Sequence, residues 1–169
     1  MSVGVLAVLV TLSAATLVCA QTSSYVAALQ GSQEVPPSGS AGTGSGTFTL
    51  NESTGLFSWN ITFSGTTGSE TAAHVHGPAN PGSNAGVQFA LSTGSPKVGS
   101  TVLTGGQMTD LKAGLYYVNV HTNTSPGGEI RGQILPVTAK VPATSGLSLI
   151  AMVLGIVAVA AFMRRRLFV

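Results

Sequence analysis

In Leu56-Phe57-Ser58-Trp59-Asn60-Ile61-Thr62-Phe63, apolar and polar side chains alternate without a break from Phe57 onward. Successive side chains of a strand point to opposite faces, which puts Phe57, Trp59, Ile61 and Phe63 on one side and Ser58, Asn60 and Thr62 on the other. A period of two over eight residues predicts a half-buried strand, with Trp59 and its neighbouring phenylalanines in the core. Shorter runs of the same kind occupy residues 25–30, 46–50, 72–76, 87–91, 115–121 and 129–135, separated by Gly, Pro, Ser and Asn clusters that suit turns. Several short strands at this spacing predict an all-β antiparallel sandwich or barrel. One helical interruption of about two turns is predicted over 104–114, where Thr104 and Gln107 form a capping box and Gly114 supplies the stop. Residues 38–45 read as a small-residue turn, and no internal repeat is present.

Outward from this middle, both ends of the 169-residue chain are apolar. Residues 1–20 carry no charge and end in Val18-Cys19-Ala20, the form of a secretory signal peptide cleaved before Gln21, with an uncleaved anchor as the alternative. Residues 146–163 are an uncharged apolar stretch about long enough to cross a hydrocarbon core as a transmembrane helix. Arg164, Arg165 and Arg166 follow it, so residues 164–169 form a basic tail that belongs on the cytoplasmic side. The expected organisation is therefore a signal peptide, an ectodomain at 21–139, a linker at 140–145, the membrane-spanning segment at 146–163 and the tail. That makes the chain a single-pass type I protein of the cell membrane or cell surface. Leu135-Pro136-Val137-Thr138-Ala139 and Val141-Pro142-Ala143-Thr144-Ser145-Gly146 partly resemble surface-sorting signals, which makes exchange of the tail for a covalent link an alternative to its retention.

Charge and cysteine content exclude several classes of function. Without the three terminal arginines, Lys97, Lys112, Arg131 and Lys140 stand against Glu34, Glu52, Glu70, Asp110 and Glu129, which leaves the ectodomain at −1. A weakly acidic domain has no electrostatic footprint for nucleic acid. The one cysteine, Cys19, lies in the predicted signal peptide, so the mature domain has neither disulfides nor thiol chemistry. Asn51, Asn60 and Asn123 begin Asn-x-Ser/Thr triplets and are glycosylation candidates in a eukaryotic host. No nucleophile elbow, phosphate loop or paired-carboxylate motif appears.

All three histidines of the chain fall in two of the predicted strands. On 72–76, Ala73 and Val75 take one face and leave His74 and His76 on the other; on 115–121, Val118 and Val120 take one face and leave Tyr117, Asn119 and His121 opposite. Pairing of the two strands brings three imidazoles together, and neutral imidazole is a ligand for copper and zinc. The competing interpretation is that the rings hydrogen-bond to loop backbone and rigidify the sheet. Glu129 and Arg131 share a face of the last strand, which predicts a cross-strand or diagonal ion pair.

Four ordered motifs carry a resemblance. Gln33-Glu34-Val35-Pro36-Pro37 follows the first strand, and Ala73-His74-Val75-His76-Gly77-Pro78-Ala79 comes next. Gly114-Leu115-Tyr116-Tyr117-Val118-Asn119-Val120-His121-Thr122 and Pro126-Gly127-Gly128-Glu129-Ile130-Arg131-Gly132-Gln133-Ile134 complete the set. Together they resemble the CHRD domain, the module named after chordin, over about residues 25–135. The resemblance implies an Ig-like or Cu,Zn-superoxide-dismutase-like Greek-key sandwich and an extracellular module that binds a protein or matrix partner without catalysis. It also implies a growth-factor-antagonist relative, although the cysteine-rich modules that accompany the domain in chordin are absent here. The histidine pattern is similar to that of copper/zinc superoxide dismutase, on which analogy His74, His76 and His121 are copper ligands and Arg131 an anion-guiding arginine. No further histidine bridges to a zinc ion and no zinc-ligand cluster is present, so a complete dismutase is not expected.

Overall fold

A computed structural model describes residues 21–137, and the assignments of 1–20, 140–145, 146–163 and 164–169 lie outside the described residues. Among the described residues no helix is long and apolar enough to cross a membrane. The domain is built from nine strands: β1 (Thr22–Gln30), β2 (Thr43–Asn51), β3 (Leu56–Ser64), β4 (Glu70–His76), β5 (Val87–Leu91), β6 (Lys97–Val102), β7 (Tyr117–Thr122), β8 (Ile130–Gln133) and β9 (Leu135–Pro136). Helix α1 (Gly105–Lys112) lies between β6 and β7, and a single 3₁₀ turn (Gly31–Gln33) follows β1.

The all-β antiparallel expectation holds. Instead of two separate sheets, however, the strands form one sheet in the order β5-β4-β7-β8-β1-β2-β3-β6, with β9 also beside β1. Its two halves meet at a single residue pair, Gln30 with Arg131, and the C-terminal segment runs from one half to the other as β8 pairs β7 and β9 pairs β1. The neighbours β3/β6 and β4/β7 are joined by long return connections of the Greek-key kind. The sheet curls so that its halves face each other as sandwich layers do. Phe89 of β5 reaches across to Phe57 and Trp59 of β3, at ring-centroid distances of 6.3 and 5.4 Å.

The core lies where alternation placed it. Tyr25, Ala27 and Leu29 of β1, Phe48 and Leu50 of β2 and Phe57, Trp59 and Ile61 of β3 meet Ala73, Val75, Val118, Val120 and Ile130 from the other half. Each fully buried aliphatic or aromatic side chain of this kind stabilises the fold by roughly 1.5–3 kcal/mol.

Three segments depart from expectation. β2 begins at Thr43, so residues 43–45 belong to a strand and not to the turn at 38–45. The run at 129–135 is two strands, because the chain changes partner between Gln133 and Leu135. β6 was not legible as a strand because its alternation is inverted: Val98 and Val102 face solvent while Lys97 is buried, its ammonium paired with Glu70 and held by the Ser92 and Gly94 carbonyls. Gly99 opposes Trp59, and a Cβ on it would stand 2.7 Å from the indole, so only glycine lets β6 pass beneath that ring.

Helix α1 is placed as the sequence predicts. Thr104 Oγ1 accepts from the Gln107 backbone N–H at 3.3 Å and the Gln107 Oε1 accepts from the Thr104 N–H at 3.0 Å, which closes the capping box. Gly114, at φ 71°, ends the turn. Thr104→Ala is expected to lower unfolding free energy by about 1 kcal/mol, read from a urea midpoint shift at unchanged slope.

Candidate metal centre

β4 and β7 are adjacent and antiparallel, with Ala72 opposite His121, His74 opposite Asn119 and His76 opposite Tyr117. Ala73, Val75, Val118 and Val120 fill the core, so the three histidines stand together on the other face of the sheet, with Ala85 against His76. His76 is buried, and His74 and His121 are half-buried. Ring centroids are 5.5 Å apart for His74 and His76, 5.1 Å for His74 and His121 and 5.8 Å for His76 and His121.

The hydrogen bonds fix which nitrogens are free. His76 Nδ1 lies 3.0 Å from the Ala85 carbonyl and His121 Nδ1 lies 3.0 Å from the Pro126 carbonyl. A carbonyl only accepts, so each Nδ1 carries the proton and each Nε2 presents a lone pair. His76 Nε2, His121 Nε2 and His74 Nδ1 are buried and have no hydrogen-bond partner. One nitrogen from each ring lies within 4.8 Å of the others. Two nitrogens on one ion at about 2.0–2.1 Å stand at most about 4.2 Å apart, so small ring rotations close the set. Burial pushes the pKa of both His76 and His121 down, against an upward pull from the carbonyl bonds, which keeps both rings neutral and able to bind metal near pH 7. Three imidazoles, two of them anchored through Nδ1 to backbone carbonyls, suit copper or zinc. The loop-backbone interpretation is present too, since Ala85 and Pro126 hold two of the rings, but it accounts for only one nitrogen of each.

A stack extends from the triad. The Tyr117 ring lies parallel to His76 at 5.1 Å, and the Arg131 guanidinium sits 3.4 Å from the Tyr117 centroid. Arg131 Nη1 and Nη2 donate to Asn84 Oδ1 at 3.1 Å and to the Ser83 carbonyl at 2.7 Å. At 1 % exposure it is not the open, anion-guiding arginine of the dismutase analogy. The expected Glu129–Arg131 ion pair does not form; the ion pairs among the described residues are Lys97–Glu70 and Lys112–Glu52. Glu129 is instead fully buried among hydroxyl and amide donors of Ser40, Thr67, Gly68 and Thr122, which the segment before β2, the loop before β4 and the end of β7 bring to it.

Glu34 belongs to this layer, a role its place in a Pro-rich turn did not reveal. It is buried against Asn119, whose Nδ2 donates to Glu34 Oε2 at 3.4 Å. Burial pushes its pKa up to about 7, with Arg131 and Asn119 partly offsetting. A folded-state pKa above the unfolded value contributes stability that is present below the unfolded pKa and lost as pH rises through about 7. Glu34→Gln, neutral at every pH, is therefore expected to match wild type near pH 5 and to exceed it by about 1–3 kcal/mol near pH 8, measured by urea unfolding at both.

Of the glycosylation candidates, Asn60 and Asn123 are exposed and Asn51 is half-buried. Asn51 Oδ1 caps the turn at Ser53 and Thr54, and Asn123 Oδ1 accepts from Ser69 N–H at 2.9 Å.

Comparison with known proteins gives one match. The model of the CHRD domain family matches residues 25–134, from within β1 to the residue between β8 and β9. No curated protein and no solved structure matches.

Proposed function

The chain belongs to the CHRD domain family, and from that premise we propose that it is an extracellular-type module binding one copper or zinc ion through His74 Nδ1, His76 Nε2 and His121 Nε2. The observation that carries this reading is that one ring nitrogen of each histidine lies within 4.8 Å of the others, and that His74 Nδ1, His76 Nε2 and His121 Nε2 are buried without a hydrogen-bond partner. A buried acceptor without a donor costs about 1–3 kcal/mol, and one ion relieves all three at once. The hydrophobic leader and the arginine-flanked apolar segment of the sequence support display outside the membrane, with the domain held there by residues 146–163. When bound, copper or zinc supplies a Lewis-acidic centre, and copper a redox couple as well. The chain's own contribution is to hold His76 and His121 in the Nδ1–H tautomer and to keep those two rings neutral.

The test is metal analysis and calorimetric titration of the purified full-length protein. One equivalent of copper or zinc is expected, with affinity at least about 100-fold lower in His121→Ala, since even outer-shell changes cost 10–100-fold. Folded wild-type protein that takes up neither metal would end the proposal.

A second reading, binding of an extracellular protein or matrix partner without catalysis, is favoured by the surface at the β6 edge. Leu56 and Val102 are cross-strand neighbours, 43 % and 66 % exposed, and Val98 is exposed on the same face of β6. Surface cross-linking on intact cells is expected to capture a partner with wild type and to lose it with Val98→Asp and Val102→Asp, while metal uptake is unchanged.

A further inference from the structure

We infer that the cleft floored by Arg131 is a binding site for an organic carboxylate. The cleft, of about 370 Å³, lies between residues 32–37 and 81–82, with Val35, Pro37 and Pro81 as apolar walls and Gln33 and Gln133 beside Arg131. The site is distinct from the histidine triad, which contributes no residue to its lining.

The Arg131 side chain is buried, yet among the described residues it has no ion-pair partner, and its two hydrogen bonds go to neutral acceptors, Asn84 Oδ1 and the Ser83 carbonyl. Buried cations are ordinarily paired, because the desolvation cost is otherwise uncompensated. Glu34 is close enough to feel Arg131, but it is engaged elsewhere. Its Oε1 and Asn119 Oδ1 are both buried without a partner, and each lies within 2.7 Å of the position a Cβ on Gly128 would take. Asn119 Nδ2 donates to Oε2 at 3.4 Å, and burial favours the neutral form of this carboxyl. Arg131 on β8, backed by Tyr117 on β7 and then His76 on β4, is the cation facing Glu34, and among the described residues no carboxylate reaches ion-pair distance of it.

Arg131 Nη1 and Nη2 each keep one N–H beyond their bonds to Asn84 and Ser83 for a carboxylate to accept from, and walls of valine and proline favour an organic anion over inorganic phosphate. The carboxylate can come from a free small acid or from the C-terminus of a protein. Both present the same chemistry to Arg131.

The experiment is titration of the full-length protein with propionate, with sodium phosphate at matched ionic strength, and with a short peptide ending in Val in its free-acid and amidated forms. Wild type is expected to bind propionate with a Kd of about 1–10 mM and phosphate at least about 10-fold more weakly. Arg131→Lys should weaken propionate about 10-fold or more, because a point charge replaces the fork. Between about pH 6 and pH 8 wild-type affinity should fall about 10-fold as Glu34 ionises and neutralises the site, whereas Glu34→Gln should bind equally at both. A free-acid peptide binding more tightly than propionate assigns the cleft to a protein tail; equal or weaker binding assigns it to a small acid. No propionate or free-acid peptide binding at about 50 mM, equal binding of phosphate, or a pH profile unchanged in Glu34→Gln each overturns the inference. The Glu34→Gln profile decides even if Arg131→Lys does not fold.

Discussion

Glu129→Ala is expected to lower unfolding free energy by about 3–5 kcal/mol, the largest effect of any single change considered for this domain. The carboxylate is fully buried and collects donors from three parts of the chain. Oε1 accepts from the Ser40 hydroxyl at 2.7 Å, the Thr67 N–H at 2.5 Å and the Thr67 hydroxyl at 3.0 Å. Oε2 accepts from the Thr122 hydroxyl at 2.5 Å and the Gly68 N–H at 3.4 Å. Truncation strands the buried Thr122 hydroxyl and takes the charged acceptor away from the Ser40, Thr67 and Gly68 donors at once. Glu129→Gln keeps the shape but turns an amide N–H₂ toward donors, so it too should destabilise, by about 2–3 kcal/mol.

The same site sets an acid limit. Burial pushes the Glu129 pKa up, but the hydrogen bonds from Thr122, Thr67 and Ser40 outweigh it and hold the carboxylate at about 2. A pKa depressed on folding contributes stability that is present above the unfolded value near 4.5 and lost as pH falls toward 2. Wild type should therefore lose about 3 kcal/mol over that window, and Glu129→Gln should lose visibly less. Parallel acid-unfolding curves for the two proteins would show that Glu129 is not the responsible carboxylate.

Saturating the triad with copper or zinc is expected to raise unfolding free energy by about 4 kcal/mol when free ion exceeds the Kd about 1,000-fold, a rise in Tm of about 10–20 °C. The gain follows from linkage, because the three nitrogens converge only in the folded sheet. A chelator should return the Tm to that of metal-free protein. In His74→Ala and His121→Ala the metal-induced shift should vanish while the metal-free Tm changes little, since both side chains are only half-buried. His76 is a less clean test, because its ring also stacks on Tyr117. An equal shift in the His74 and His121 variants would place the ion elsewhere.

Much of the triad was legible because a strand's facing is a local property. The alternation of Ala73 and Val75 against His74 and His76 requires no knowledge of a partner, and neither does that of Val118 and Val120 against His121. The capping box at Thr104 and Gln107 is local for the same reason. Glu34, Asn119 and Arg131 were not legible as a group, since 85 positions separate the first two and nothing in either neighbourhood points to the other. The Glu129–Arg131 ion pair failed for a related reason. Shared facing put both on one side of the strand, but hydroxyls from distant turns claimed the carboxylate and Tyr117 claimed the guanidinium.

From the sequence by itself come the all-β class, the core face of each patterned strand, the helix with its cap and the two histidine-bearing strands. All of these follow from steric alternation and short-range hydrogen bonding within a few residues. Only the tertiary structure decided that β4 lies beside β7 in the register that gathers three imidazoles, and that β6 runs with its valines outward. It also decided that Glu34 is buried beside Arg131 without pairing to it. Those outcomes depend on which distant segments share the cost of burying polar groups, a sum over contacts that no local window contains.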